Sequence, residues 1–250
     1  MVAENVAGEF LPELDLDNPA RQRRWTVLLR LILLVPQFVV VWALSIVAHV
    51  VTIIGWFAAL VLGRLPDWVA DYLSGYLAWT TRVNAYLTLV VDAYPPFEWE
   101  PADPAVRIEV RPGRLNRLAV LFRVILAIPA TILAGVLGVG WAACAFFCWL
   151  VVLVMGRTPV PLFGASVAFV RYEMRYQAYW MMLTSAYPKG LFGEDHPENQ
   201  PDTGPDAGAE TRRSGTRPLL LTAGGRGLLI LFIVVGVLAY IGDAVGNSQA

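Results

Sequence analysis

Two long apolar blocks dominate the pattern of the chain. The first runs from Trp25 to Leu62, 38 residues, and the second covers residues 118–155. As one straight helix, 38 residues would measure about 57 Å, whereas the hydrocarbon core of a bilayer is about 30 Å thick. The pattern therefore predicts that each block is a transmembrane helical hairpin. Its turn is expected near Trp42 to Val47 in the first block and near Gly135 to Gly140 in the second.

The stretches after the two blocks, residues 67–94 and 161–187, predict helices of another kind. In the first stretch, small polar or acidic residues recur every seven positions and aromatic residues form a separate stripe. This is typical of an amphipathic helix that lies in the membrane interface. If this helix crossed the membrane, each unit would have three spans and the second unit would be inverted. We therefore expect two spans per unit and two parallel units.

The two halves of this pattern are copies of each other. A shift of 93 residues aligns them without a gap from Pro19 to Pro95 and gives at least 20 identities in 77 positions. The identities include repeated arginine, proline, tryptophan and tyrosine residues, which apolar bias alone does not generate. Before each apolar block, a short alternating stretch predicts a brief strand. A duplication is the simplest explanation.

The predicted fold is therefore an all-α integral membrane protein with two tandem repeats and a C-terminal transmembrane helix. Unit 1 covers residues 1–100, with the hairpin at 25–62 and the amphipathic helix at 67–94. Unit 2 covers residues 101–192, with the hairpin at 118–155 and the amphipathic helix at 161–187. Residues 193–218 are rich in proline, glycine and acid, which predicts a disordered linker. Residues 219–243 are long and apolar enough to span a membrane.

Composition agrees with a membrane protein. Hydrophobic residues make up 57% of the chain and charged residues 16%, and the mean hydropathy is +0.56. A soluble domain has about 25% charged residues, so a soluble enzyme and a nucleic-acid-binding domain are excluded. The net charge of −1 implies no strongly acidic or basic partner.

Arginines flank both apolar blocks at both ends, and the positive-inside rule predicts that all these ends face the cytoplasm. The same rule places the start of the last helix inside and the C-terminus outside. The N-terminus carries Glu4, Glu9 and Glu13 and no basic n-region, so we expect no cleavable signal peptide. The chain is thus expected in the cytoplasmic (inner) membrane with five spans and a cytoplasmic N-terminus.

The best duplicated polar signature is an arginine followed four residues later by a tyrosine. Arg82 and Tyr86 in unit 1 correspond to Arg175 and Tyr179 in unit 2, and each pair shares a helix face. Each arginine could hold a lipid phosphate while the tyrosine anchors at headgroup depth, or it could pair with a local acid and hold the repeat together. A second pair of arginines, Arg30 and Arg123, sits inside the apolar blocks and is expected to snorkel to the interface.

Reactive chemistry is sparse. Cys144 and Cys148 share one apolar helix face, but unit 1 has no counterpart, so a buried hydrophobic role is favoured over a metal or redox site. His49 could relay protons, but unit 2 has Ala142 there. We find no phosphate loop, nucleophile elbow or metal-ligand spacing. The sequence therefore predicts no cofactor, no metal and no enzyme activity.

The repeated motifs resemble a known family. The arginine cluster, "RLILLVP" or "RVILAIP", G-R-x-P, R-x-x-A-Y and "DAYPPF" look like an uncharacterised membrane family of mostly high-GC Gram-positive bacteria, classed as a domain of unknown function. The resemblance covers roughly residues 11–192 as two copies, and the second copy departs at "SAYPKG". It implies membrane residence and bacterial origin, and it implies no activity or ligand.

Three functional hypotheses follow. The first is a non-enzymatic scaffold or accessory subunit of an inner-membrane complex, with membrane lipids and a membrane protein as partners and no nucleic acid. The second is a small-solute channel or transporter subunit, because duplicated membrane units often frame a central path. The third is a lipid-modifying enzyme, for which the acids at the expected cytoplasmic interface would be needed: Asp67, Asp71, Asp92 and Glu173.

Overall fold

The structure is a computed structural model that describes residues 10–16, 21–193, 216 and 219–247. Helices make up most of these residues. The elements in chain order are β1 (Glu13–Leu16), α1 (Arg24–Leu62), α2 (Asp67–Leu87), β2 (Val106–Glu109), α3 (Arg117–Leu121), α4 (Arg123–Met155), α5 (Val160–Trp180) and α6 (Ala223–Asn247).

The first apolar block is one continuous helix of 39 residues, α1. The predicted hairpin is therefore wrong, and in unit 2 α4 likewise runs unbroken for 33 residues. Pro36 and Pro129 lie inside these helices without ending them. Each helix ends instead at a glycine with left-handed backbone, Gly63 (φ 69°) and Gly156 (φ 66°), which is the usual helix-terminating conformation.

One of the glycines that suggested a turn in the second block, Gly140, allows two helices to approach closely. A Cβ built on Gly140 would collide with the main-chain oxygen of Phe232, and a Cβ on Gly236 would collide with that of Val136. Helices α4 and α6 thus cross with their backbones in contact, which only glycine permits. Phe232 is fully buried in this crossing.

Helices α2 and α5 turn back along the long helices that precede them. Tyr72 of α2 donates to the main-chain oxygen of Leu44 (3.1 Å), and Trp79 donates from Nε1 to the side-chain oxygen of Gln37 (3.0 Å). In α5, every residue between the two terminal positions is buried or half-buried. The predicted interfacial helices are not confirmed, because the aromatic stripes of both helices pack largely against protein. Both also end earlier than predicted, at Leu87 and Trp180.

The strands predicted before the apolar blocks are present and pair with each other. β1 and β2 are antiparallel, with Glu13 opposite Glu109 and Leu16 opposite Val106. The cross-strand pair in the middle is an ion pair, Asp15 to Arg107 at 3.1 Å. This two-stranded sheet is a small addition to an otherwise helical fold.

The two units are related by an approximate twofold axis, because their mutual contacts are reciprocal. The main chains of Arg21 and Arg157 form an isolated antiparallel β-bridge, and those of the equivalent residues Arg114 and Arg64 form a second one. Each segment before a long helix thus lies beside the end of the other unit's long helix. Helices α1 and α4 therefore run antiparallel.

Three of the described helices, α1, α4 and α6, are long and apolar enough to cross a membrane, so the chain is a membrane protein. Five spans were expected because each long block was predicted as a hairpin. The C-terminal helix is found at Ala223–Asn247, close to its predicted place. Nearly all of the predicted linker, residues 194–215, 217 and 218, lies outside the described residues.

Candidate functional site

Two equivalent arginines hold the C-terminal ends of α2 and α5. Arg30 Nη1 donates to the main-chain oxygen of Tyr86 (2.6 Å), and Arg123 Nε donates to that of Tyr179 (2.6 Å). Each guanidinium also lies over the ring of the same tyrosine, 4.2 Å and 3.9 Å from the centroids. A cation at a helix C-terminus interacts favourably with the helix dipole. The predicted site residues Arg30, Tyr86, Arg123 and Tyr179 thus form two matching arginine–tyrosine pairs, one in each unit.

Each arginine lies in the wall of an apolar cleft between the two units. The Arg30 cleft has a volume of about 400 Å³ and lies between the start of α1 and the second half of α4. The Arg123 cleft has a volume of about 350 Å³ and lies between the second half of α1 and the start of α4. The shift of 93 residues relates several of the lining residues, with Ala145, Phe146 and Trp149 in the first cleft and Thr52, Ile53 and Trp56 in the second.

Tryptophans at the clefts join one unit to the other. Trp149 Nε1 donates to the main-chain oxygen of Val27 (2.7 Å), and Trp56 Nε1 donates to that of Val120 (2.9 Å). In the Arg30 cleft, the indole Nε1 of Trp141 is buried and makes no hydrogen bond to the described part of the chain. Buried polar groups are normally paired, so this donor is available to a ligand.

A strained residue forms part of each cleft wall. Leu89 and Met182 occupy equivalent positions after α2 and α5, and both have left-handed backbone, φ 63° and 61°. Such a conformation is unusual for a large residue. Both side chains are buried and line the clefts. The left-handed backbone at Leu89 and Met182 therefore places an apolar side chain in each cleft wall, where glycine would leave a gap.

The two clefts differ in how the arginine is neutralised. Arg30 Nη2 lies 3.1 Å from the side-chain oxygen of Gln22 and 3.4 Å from the Asp92 carboxylate. The same carboxylate accepts from the Thr26 hydroxyl (2.7 Å) and from the Arg23 main-chain nitrogen (3.3 Å) at the start of α1. Asp92 thus serves two purposes, as counter-ion to Arg30 and as a cap for α1.

Arg123 has neither of these partners. The positions of Gln22 and Asp92 are taken by Leu115 and Ser185 in unit 2. Arg123 donates only to main-chain oxygens, those of Tyr179 and Thr184, and within the described residues it has no carboxylate in ion-pair distance. The capping task of Asp92 passes to Asn116, whose side chain accepts from the Leu118 nitrogen (3.0 Å).

The other predicted arginines are buried in the protein interior, 5% exposed for Arg82 and 1% for Arg175. Arg82 Nη2 donates to the main-chain oxygens of Glu98 (3.0 Å) and Trp99 (3.3 Å), in the segment after α2. Arg175 Nε donates to that of Pro12 (3.0 Å), in the segment before α1. Both arginines fasten extended segments to the helices. A lipid contact for them stays a prediction.

Polar residues also meet between α2 and α5. Gln177 Nε2 donates to the Glu173 carboxylate (3.1 Å), and its oxygen lies 3.4 Å from the Thr80 hydroxyl. Burial raises the pKa of the Glu173 carboxyl, and the hydrogen bond from Gln177 partly offsets this. Glu173 lines a cavity of about 520 Å³ together with Asn84 and Thr131.

Metal and nucleophile chemistry finds no support among the described residues. No group of three metal-ligating side chains occurs there. Cys144 is half-buried and Cys148 buried, and both are free thiols. His49 Nδ1 donates to the main-chain oxygen of Ser45 (2.6 Å), and its ring lines the Arg123 cleft.

The sequence reasoning missed the residues that make the clefts. Gln22, Trp56 and Trp149 were not proposed as site residues, although both tryptophans are repeated between the units, and Asp92 was proposed only as an acid of a lipid-modifying enzyme. A usable signal was present in the repeat alignment, because Asp92 and Ser185 occupy equivalent positions with different charge. The sequence alone does not show that Asp92 lies beside Arg30.

The fold and the clefts define a class: a duplicated helical membrane protein whose two units face each other in antiparallel orientation. The model of a family described as a domain of unknown function (DUF4389) matches residues 24–98 and 117–191, together more than half of the chain. The chain belongs to this family and contains two tandem copies of its domain. Comparisons with curated proteins and with solved structures give no match.

Proposed function

We propose that this protein is a non-enzymatic membrane protein that holds amphipathic molecules in the two clefts between its units. The observation behind this proposal is the repetition of one arrangement, a buried arginine in the wall of an apolar cleft, at both unit contacts. Apolar clefts of about 300–1,000 Å³ with a few polar groups are typical ligand sites. An amphiphile fits such a site because its tail replaces lipid against the walls while its polar end meets the guanidinium.

Exposed apolar side chains at the edges of the clefts favour a ligand that enters from the bilayer. Residues at the edge of the Arg123 cleft, Ile53 and Val124, are both 59% exposed. In the Arg30 cleft, Phe146 is 63% exposed. An apolar molecule could therefore enter sideways from the lipid without crossing water.

We further propose that the protein is a scaffold or accessory subunit in the inner membrane. The outer faces of α1 and α4 expose large apolar side chains along their whole length, and such faces can contact either lipid or another membrane protein. The cytoplasmic N-terminus and external C-terminus predicted from the arginines belong to this proposal. Each cleft would then couple a bound lipid to the contact between the units.

Lipid analysis of the purified protein tests the cleft proposal. The full chain is extracted in a mild non-ionic detergent and its bound small molecules are identified by native mass spectrometry. Trp149→Ala and Trp56→Ala should each lower the amount of bound amphiphile, because each removes one cleft wall. Trp42→Ala is the matched control, since Trp42 is 66% exposed on α1 and lines neither cleft. Equal loss in the control, or no bound amphiphile in the unaltered protein, would refute the proposal.

One observation favours the alternative of a small-solute channel or transporter subunit. The cavity beside Glu173 is lined by polar side chains from both units, including Asn84 and Thr131. Ionisable groups within membrane proteins often mark solute paths. Solute flux in proteoliposomes that disappears with Glu173→Gln and persists with Asp71→Asn, an exposed position on α2, would support this alternative.

A further inference from the structure

Equivalent parts of the two units form the two clefts, but the clefts differ in charge. In the Arg30 cleft, the guanidinium is paired with Asp92 at 3.4 Å. In the Arg123 cleft, the equivalent position is Ser185, and Arg123 is 4% exposed. The Nε and Nη2 atoms of Arg123 donate to main-chain oxygens, and its Nη1 atom makes no hydrogen bond to any residue that the structure describes. A buried cation without a counter-ion is costly, and binding an anion would offset that cost.

Helix geometry reduces the cost of burying Arg123 without removing it. The guanidinium donates to the main-chain oxygen of Tyr179 at the end of α5, where the helix dipole corresponds to about half a negative charge. Arg30 has the same helix end and a full carboxylate in addition. The unit 2 site therefore keeps a larger net positive charge than the unit 1 site.

The cleft around Arg123 sets the rest of the ligand. Ile53, Trp56, Val124 and Met182 make its walls apolar, and its volume of about 350 Å³ is near the lower end for ligand pockets, about 300 Å³. One alkyl chain suits this space better than two. The planar fork of a guanidinium matches the two oxygens of a carboxylate.

We infer that the Arg123 cleft binds a long-chain carboxylate, with the carboxylate on the Arg123 guanidinium and the chain between α1 and α4, whereas the Arg30 cleft takes an uncharged amphiphile. This inference rests on the proposed function, since it assigns a ligand class to one of the two clefts. In unit 1, the Asp92 carboxylate pairs with Arg30 in place of a bound anion.

The test exchanges the two residues that distinguish the clefts. The full-length protein in non-ionic detergent is titrated with hexadecanoate and with hexadecanol, and native mass spectrometry counts the molecules bound. The unaltered protein should bind one hexadecanoate at least about tenfold more tightly than hexadecanol, as expected for a charge-assisted hydrogen bond. Ser185→Asp should abolish this preference. Ser185→Asn should keep it, because asparagine has the size of aspartate without its charge.

Asp92→Ser should have the opposite effect and create a second hexadecanoate site. Because Asp92 also caps α1, the midpoint of thermal unfolding of this variant is measured as well. If that variant does not fold, the Ser185 pair decides alone, since Ser185 is exposed and tolerates substitution.

The outcomes separate the inference from the proposed function. Equal binding of hexadecanoate and hexadecanol would leave the clefts as amphiphile sites and overturn the charge selection. A preference that Ser185→Asp leaves intact would also overturn it, because the carboxylate would then be recognised elsewhere. Tighter binding of a single-chain phosphate amphiphile than of hexadecanoate would contradict the assigned class. Binding of none of these probes would refute the proposed function as well.

Discussion

Trp149 near the end of α4 donates a hydrogen bond to the main-chain oxygen of Val27 near the start of α1, 2.7 Å away. The same bond joins Trp56 to Val120 at 2.9 Å. The two bonds are related by the shift of 93 residues, so each unit holds the other in the same way. This reciprocity fixes the antiparallel orientation of the two long helices.

Replacing both tryptophans with phenylalanine should weaken the contact between the units. Each replacement removes one hydrogen bond and keeps an aromatic ring, so we expect a loss of about 1 kcal/mol per site in the free energy of unfolding. Reversible unfolding in mixed micelles measures it. Trp42→Phe is the control, because this exposed residue should change stability by less than about 0.5 kcal/mol. Equal stability of Trp149→Phe and Trp42→Phe would show that the bond contributes nothing.

The crossing of α4 and α6 predicts a sharp difference between two neighbouring glycines. Gly140→Ala should separate the two helices, because its Cβ would meet the main-chain oxygen of Phe232. Gly138→Ala meets nothing within 4 Å, and alanine favours helix by about 1 kcal/mol. Thermal unfolding in detergent should therefore show a lower midpoint for Gly140→Ala only.

Proteolysis provides an independent measurement for this pair. The release of α6 should expose residues 219–222, which lead into it, to protease in Gly140→Ala and leave them protected in Gly138→Ala. Identical cleavage patterns for the two variants would contradict the close crossing.

Arg82 should be needed for folding of the segment after α2. Arg82→Ala removes the Nη2 donor of both hydrogen bonds that hold the main chain at Glu98 and Trp99, and we expect a loss of about 2 kcal/mol in unfolding free energy. Protease should cut residues 95–105 faster. Arg64→Ala is the control, because Arg64 is exposed and lies 4.0 Å from Asp67. An unchanged midpoint together with less co-purified phospholipid would instead support the lipid contact predicted from sequence.

The arginine clusters at the two ends of α1 should face the same side of the membrane. The apolar surface of α1 measures about 57 Å, almost twice the hydrocarbon thickness of about 30 Å. For both ends of α1 to face the cytoplasm, α1 must lie close to the membrane plane, with the approximate twofold axis along the membrane normal. This orientation would satisfy the positive-inside rule for both units.

Cysteine labelling checks this orientation. Arg21→Cys and Arg64→Cys are made in a chain whose native cysteines are replaced by alanine, and whole cells are treated with an impermeant maleimide. Neither should react before permeabilisation. Asn247→Cys at the end of α6 should react, which serves as the positive control. Labelling of only one of the two arginine positions would place the twofold axis in the membrane plane.

Much of the architecture is readable from the pattern of residues. The 93-residue repeat, the strands before each block and the C-terminal helix are all confirmed. The predicted hairpins are wrong because hydrophobicity and length do not show whether an apolar block is interrupted by a turn. "GVLGVG" resembles a turn, yet Gly140 serves a helix crossing. That distinction depends on where α6 packs, which lies nearly 100 residues further along the chain.

The sequence by itself determined the duplication and the membrane character, because repetition and hydropathy are properties of residue order alone. Only the tertiary structure decided that the two units face each other in reverse, since the contacts of Trp56 and Trp149 join residues far apart in the chain. The same holds for the charge difference between the clefts. Whether Asp92 neutralises Arg30, and whether Ser185 leaves Arg123 unpaired, depends on distances between side chains that folding alone brings together.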